Sequence, residues 1–194
     1  MNLRNVLVAS AAVSLACGGG VNASVNGTIK GQSLKPADTV SAPVTVALTG
    51  GGTASLAGVV VSDVSGLCAK AASNTTPKSA HILFLGAGDV NPTSFQITAA
   101  STAGTYSIYG GSGAPPAKVA DVSFFSYDAS CTEITTQSAS ATSGTVTLTS
   151  VNNGSYSGNF DVTFDSGDHV TGSFSASNCA NLNMYFGTTT HSCG

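Results

Sequence analysis

Few side chains in this sequence could carry chemistry. Histidine occurs three times, at His81, His169 and His191. A metal centre built on them would need ligands at short, recognisable spacing, and neither His-x-His, His-x-x-x-His nor Cys-x-x-Cys occurs. A histidine acting as general base needs an acid to orient its ring and a nucleophile to activate. Asp168 directly precedes His169, but neighbours on a regular strand point to opposite faces, so these two are not expected to act as a pair. His81 opens an apolar stretch, as a residue packing at a sheet edge would. No Gly-x-Ser-x-Gly elbow is present, and Glu133, the sole glutamate, has no obvious carboxylate partner in Asp121 or Asp128 for glycoside chemistry. The densest acidic group is Asp161, Asp165 and Asp168. Hard cations take several oxygen ligands, which makes these the candidate calcium ligands. Their spacing departs from an EF-hand loop, and Asp165-Ser166-Gly167-Asp168 reads first as a hairpin turn. The expectation is therefore no metal, no cofactor and no catalytic residue.

Charge excludes other classes. Only 8% of residues are charged, with six Lys+Arg against nine Asp+Glu. Nucleic-acid binding needs a basic surface that this chain cannot assemble. Disorder is equally unexpected, since it goes with low hydrophobicity and high net charge, whereas 42% of residues here are hydrophobic and the net charge is -3. At the N-terminus, residues 1–16 place Arg4 before an apolar run, Val6 to Ala16, that ends in small side chains. This is the layout of a secretory signal and too short to span a membrane. The junction Ser14-Leu15-Ala16-Cys17, followed by Gly18-Gly19-Gly20, resembles bacterial lipoprotein precursors, with Ser14 and Leu15 in the reverse of the usual order. That resemblance implies cleavage before Cys17 and its acylation, leaving 17–23 as anchor and tether. Two or more acyl chains would make the membrane attachment stable. Ordinary signal-peptidase cleavage after Ala16, giving a freely secreted protein, is the alternative.

With Cys17 lipidated, Cys68, Cys131, Cys179 and Cys193 remain, an even set suited to two disulfides in an oxidising compartment. Three pairings are possible. Cys179 with Cys193 is preferred, because that bridge would tie down the tail after the last strong strand, leaving Cys68 with Cys131.

The elements that must position these residues read as strands. In Tyr156–Phe164 the even positions are Tyr, Gly, Phe, Val and Phe and the odd ones are polar, a strand with one buried face. Val170–Ala176 resumes the pattern after the Asp165–Asp168 turn, and Asn152-Asn153-Gly154 joins it to a Val146/Leu148 strand upstream. Residues 143–177 thus form a three-stranded meander. Further strands are expected at 24–30, 43–48, 53–62, 80–86, 104–109, 117–127 and 131–138, and one short helix near 65–73, capped by Ser65. The fold class is all-β, an antiparallel β-sandwich or partly open β-barrel, with 24–194 as one domain. A transmembrane barrel is not expected from so few aromatic residues.

Aromatic residues Tyr106, Tyr109, Phe124, Phe125 and Tyr127 fall on both strand parities. They either line a ligand cavity or seal a core on both faces of the sheet. The runs Thr142–Thr149, Gly154–Phe174 and Gly27–Leu34 look like those of a group of uncharacterised bacterial lipoproteins over most of the mature chain. The resemblance implies a secreted all-β fold and supplies no catalytic residue. Asn22, Asn26, Asn74 and Asn153 begin glycosylation sequons, which matter only in a eukaryotic secretory route. The expected function is a lipid-anchored module of the bacterial envelope, outer membrane favoured, that binds a protein or carbohydrate or serves structurally without catalysis. The alternatives are a calyx-like carrier of a small apolar ligand and, third, an exported hydrolase.

Overall fold

A computed structural model describes residues 22–47, 52–110 and 114–194. The expected signal segment, residues 1–16, and Cys17 lie outside the described residues. In chain order the elements are β1 (Ala23–Asn26), β2 (Asp38–Ala47), β3 (Thr53–Ser62), α1 (Leu67–Ala72), β4 (Thr75–Thr76), β5 (His81–Val90), β6 (Ile97–Ala99), β7 (Gly104–Ile108), β8 (Lys118–Ser126), β9 (Ala139–Asn152), β10 (Ser155–Phe164), β11 (His169–Asn178), α2 (Asn181–Gly187) and β12 (Ser192–Cys193).

The period-two pattern is realised most fully in β10, where every even residue from Tyr156 to Phe164 is buried. The turn before it has positive φ at both Asn153 and Gly154, as a two-residue hairpin requires. Among the described residues ten strands share one sheet. Following the ladder β11-β10-β9-β8-β5-β3-β2, the sheet curls until β2 meets β11 again through a parallel contact, Val40 with Ser177 and Ser41 with Asn178. The hydroxyl of buried Ser41 clasps this seam, donating to the carbonyls of Gly154 at 2.8 Å and Ala176 at 3.1 Å. β7 wedges between β8 and β9 at one end. The all-β class holds, and the sheet is mixed rather than wholly antiparallel, because β7–β8 and β2–β11 run parallel.

Curling buries the inner face. Val59 and Val61, Leu83 and Leu85, Val122 and Phe124, Val146 and Leu148, and the even residues of β10 and β11 meet in one core. Tyr106 enters from β7 with no exposed surface, so its phenol needs a partner. It donates to the Thr102 carbonyl at 2.8 Å and accepts from Lys118 Nζ at 3.0 Å, and that ammonium also reaches Asp89 at 3.2 Å. Burial works to raise the Asp89 carboxyl, but bonds from the Ser101 amide and from Lys118 outweigh it and hold the group below the usual carboxylate range.

Two reciprocal pairs let large rings fill this core. Phe160 faces Gly172 across the β10–β11 ladder, and Gly158 faces Phe174. A methyl group on Gly172 would collide with the Ser24 carbonyl and with the Phe160 ring.

Four sequence expectations are corrected. Residues 131–138 form turns and a single bridge of Glu133 with Tyr127 rather than a strand, because Asp128 Oδ1 accepts from the Ser130 and Thr132 amides and Cys131 sits at φ 61°. β2 begins at Asp38, β5 runs to Val90 and β9 begins at Ala139, all longer than expected, whereas the strand expected at 24–30 stops at Asn26. The expected helix is present, but Ser65 does not cap it. Asp38 of β2 does, accepting from the Leu67 amide at 2.8 Å. A second helix, α2, and the short β6 were not anticipated.

Gly172→Ala is therefore expected to lower stability by about 1–3 kcal/mol through overpacking against backbone. Ser175→Ala, on the exposed face of the same strand, should stay within about 0.5 kcal/mol. Denaturant unfolding of the two variants checks this.

Candidate functional site

On β3, β5 and β8 the outer face is apolar as well as the inner one. Leu56 and Val60, Ile82 and Phe84, and Phe125 point outward, away from the residues that fill the barrel. Such a face needs a cover, and the chain supplies a partial one. α1 and α2 pack over it, burying Leu67 and Ala71 from the first and Leu182 from the second. In α2 the side chains that touch the sheet are Leu182, Tyr185 and Phe186, an i, i+3, i+4 set. That spacing was legible in the sequence and is the signal that could have found this helix.

Both disulfides hold this cover in place. Cys68 of α1 bonds Cys179 at the end of β11, with Cα atoms 5.6 Å apart, and Cys131 bonds Cys193, at 5.5 Å. All four cysteines are used as expected, but the preferred pairing of Cys179 with Cys193 and Cys68 with Cys131 is wrong. The residues between Cys179 and Cys193 are not a loop closing on itself. They form α2 and then cross to β12, which pairs with β4 and brings Cys193 beside Cys131.

Between cover and sheet lies a cleft of about 410 Å³. Its walls include five aromatic residues, Phe84 and Phe125 from the sheet, Tyr127 beyond β8, and Tyr185 and Phe186 from α2. Phe84 and Phe186 meet with ring centres 5.1 Å apart, and Tyr185 stacks on His191 at 4.1 Å. The polar atoms on these walls are mostly engaged. Tyr185 Oη and Thr76 Oγ1 share a hydrogen bond of 2.8 Å, the His191 ring bonds Asn74 Oδ1 at 2.6 Å, and Lys70 Nζ donates to the Gly194 carbonyl at 2.9 Å. Burial raises both phenols. For Tyr127 the neighbouring Tyr185 and Glu133 add to it and the group is pushed up to about 12. A second concavity, about 660 Å³, continues along the same face, with Phe84, Phe125 and Phe186 contributing to both.

The residues singled out from the sequence lie elsewhere or apart. Asp161, Asp165 and Asp168 do not converge: Asp161 Oδ1 accepts from His169 Nε2 at 2.7 Å, Asp165 lies 4.0 Å from Lys30 Nζ, and Asp168 accepts from the Lys30 amide at 2.8 Å. That amide and the Ser166 hydroxyl hold the Asp168 carboxyl below its usual range. Among the described residues no cluster of three or more His, Cys, Asp or Glu is placed to hold a metal ion. His169 is thus oriented by Asp161 across the ladder and not by Asp168 beside it, as strand parity requires. His81 is held by Asp63, whose Oδ2 accepts from Nδ1 at 2.7 Å and whose Oδ1 accepts from the His81 amide at 2.8 Å. Each of these histidines has an acid, but among the described residues no serine, threonine or cysteine side chain bonds either ring. Of the aromatic residues, Tyr106 and Phe124 belong to the inner core, while Phe125 and Tyr127 face the cleft.

Alkaline spectrophotometric titration is expected to show Tyr127 ionising near pH 12, with Tyr156 and Tyr185 also above the ordinary value. Tyr127→Phe should remove that step and leave the remaining titration in place.

No family model, no curated protein and no solved structure matches this chain, so the chemistry of the cleft stands on its own residues.

Proposed function

We propose that this protein is an exported, lipid-anchored module of the bacterial envelope that binds a small, largely apolar ligand on the outer face of its sheet and does no chemistry on it. The observation that carries this reading is the aromatic cleft under α1 and α2. A protein of this size has few ways to leave several rings half-covered, and a concavity lined by apolar groups with a few fixed polar ones is the usual form of a small-molecule site. The two disulfides favour an oxidising compartment. The N-terminal segment with Cys17 supplies the route to it and the acyl anchor, and the outer membrane is the preferred location. A ligand inside the barrel, the calyx-like alternative, has less in its favour. Tyr106, Phe124, Phe164, Leu83, Leu85 and Val162 fill that space with almost no exposed surface. Where the outer sheet face is polar, over β9, β10 and β11, hydroxyl pairs such as Ser157–Ser175 and Ser24–Ser173, both at 2.9 Å, make a weakly charged surface toward the surroundings.

Two measurements test this. An environment-sensitive apolar dye such as anilinonaphthalene sulfonate should bind the folded, disulfide-intact protein saturably, and Phe186→Ala should weaken binding by about tenfold through loss of one ring of the wall. Dye binding unchanged by this substitution would place the apolar site elsewhere. For the anchor, intact mass of protein expressed with its own leader in a bacterial host should show acylation of Cys17 and recovery in membranes, both lost in Cys17→Ala. Unmodified, soluble wild type would remove the lipid anchor from the proposal.

A further inference from the structure

Asp121 stands out on the outer face. It lies on β8 opposite Gly86 of β5, in the second concavity, among Leu56, Ile97, Phe84, Phe125 and Phe186. Gly86 offers no side chain beside it, and a methyl group there would press on Leu56 and Phe84, so the floor next to the carboxylate is kept bare. The basic residues of the sequence are Arg4, Lys30, Lys35, Lys70, Lys78 and Lys118 with His81, His169 and His191. Residues 48–51 and 111–113 contain none of these, so a cation from those segments cannot serve Asp121. Among the described residues no ion pair or hydrogen bond reaches this carboxylate, whereas Asp63, Asp89, Asp161 and Asp165 each have a cationic or histidine partner.

Asp121 is exposed within this concavity, so its charge is open to a guest, and no protein cation among the described residues occupies it. Surrounding protein pushes the Asp121 carboxyl above the ordinary range even though the residue keeps a solvent-facing surface. The negative charge and the partly exposed rings of Phe125 and Phe186 in the same concavity attract the same kind of guest.

We propose that this concavity binds a small organic cation, an ammonium group paired with Asp121 and carried on an apolar body that lies against Phe125 and Phe186. The inference rests on the reading of the outer face as the binding face and adds the charge of the ligand to it. Because these two rings also border the cleft under α2, an elongated guest can extend from the carboxylate toward that cleft.

Phenylbutylamine, phenylbutanol and phenylbutyrate have the same apolar body and differ in charge, so isothermal titration of all three against wild type and Asp121→Asn separates the terms. Asp121 has no described partner to lose, so the variant should fold with an unreduced melting temperature. The expected result is that wild type binds the amine at least about tenfold more tightly than the alcohol and the carboxylate most weakly. In Asp121→Asn the amine and the alcohol should bind alike, with the alcohol unchanged from wild type. Equal binding of amine and alcohol by wild type overturns the cation inference and leaves the apolar site standing. An amine preference that survives in Asp121→Asn overturns it too. Failure of all three compounds to bind overturns both the inference and the reading on which it rests.

Discussion

A single sheet that is apolar on both faces cannot satisfy both by curling. Closing β2 against β11 buries Val59, Leu85, Val122 and their neighbours, but it turns Leu56, Val60, Phe84 and Phe125 outward. The rest of the structure answers that imbalance. Where the outer face is polar, on β9 to β11, the chain leaves it bare. Where it is apolar, two helices cover part of it. These helices have six and seven residues, too short to be stable alone, since helix nucleation is unfavourable and few bonds follow to repay it. Cross-links at Cys68–Cys179 and Cys131–Cys193 provide the missing constraint by fixing α1 and the returning C-terminal segment to the sheet and its neighbouring turns.

Scarcity of charge is consistent with this design. The exposed strands carry hydroxyl ladders alongside the His169–Asp161 pair, and the few ionised groups sit where geometry demands them. Lys118 and Asp89 satisfy the buried Tyr106 phenol, Asp38 caps α1, and Asp168 secures the backbone at Lys30. Lys118 is correspondingly held above its ordinary value, first by its bond to Tyr106 and then by Asp89, against the opposing effect of burial. Against this background an acidic side chain with no such task is conspicuous, and Asp121 is the example in the apolar region.

Much of the barrel was legible because its signal is local. Alternation over Tyr156–Phe164 and the Asn153-Gly154 turn fix strand, face and hairpin together, and β3 was bounded at Thr53–Ser62 from composition and flanking glycines. The cleft was not legible, because its walls come from segments far apart in the chain. Phe125 and Tyr127 could be seen to break parity, but nothing local says that residues 181–187 return to cover them. The wrong disulfide pairing has the same origin. Sequence proximity favoured Cys179 with Cys193, whereas α2 carries the chain away and back to Cys131. His169 shows the opposite case: strand parity excluded Asp168 as its partner, but only the β10–β11 register reveals Asp161.

The central claim is that the barrel is held by its own packing while the cover over the outer face depends on the cross-links. Hydrogen exchange with mass-spectrometric readout, comparing oxidised and fully reduced protein under native conditions, tests it most directly. Reduction is expected to release protection in α1, α2, β4 and β12 while the β9–β10–β11 meander keeps its protection. Uniform loss of protection across the barrel, or retention of protection in both helices without the disulfides, would contradict the account.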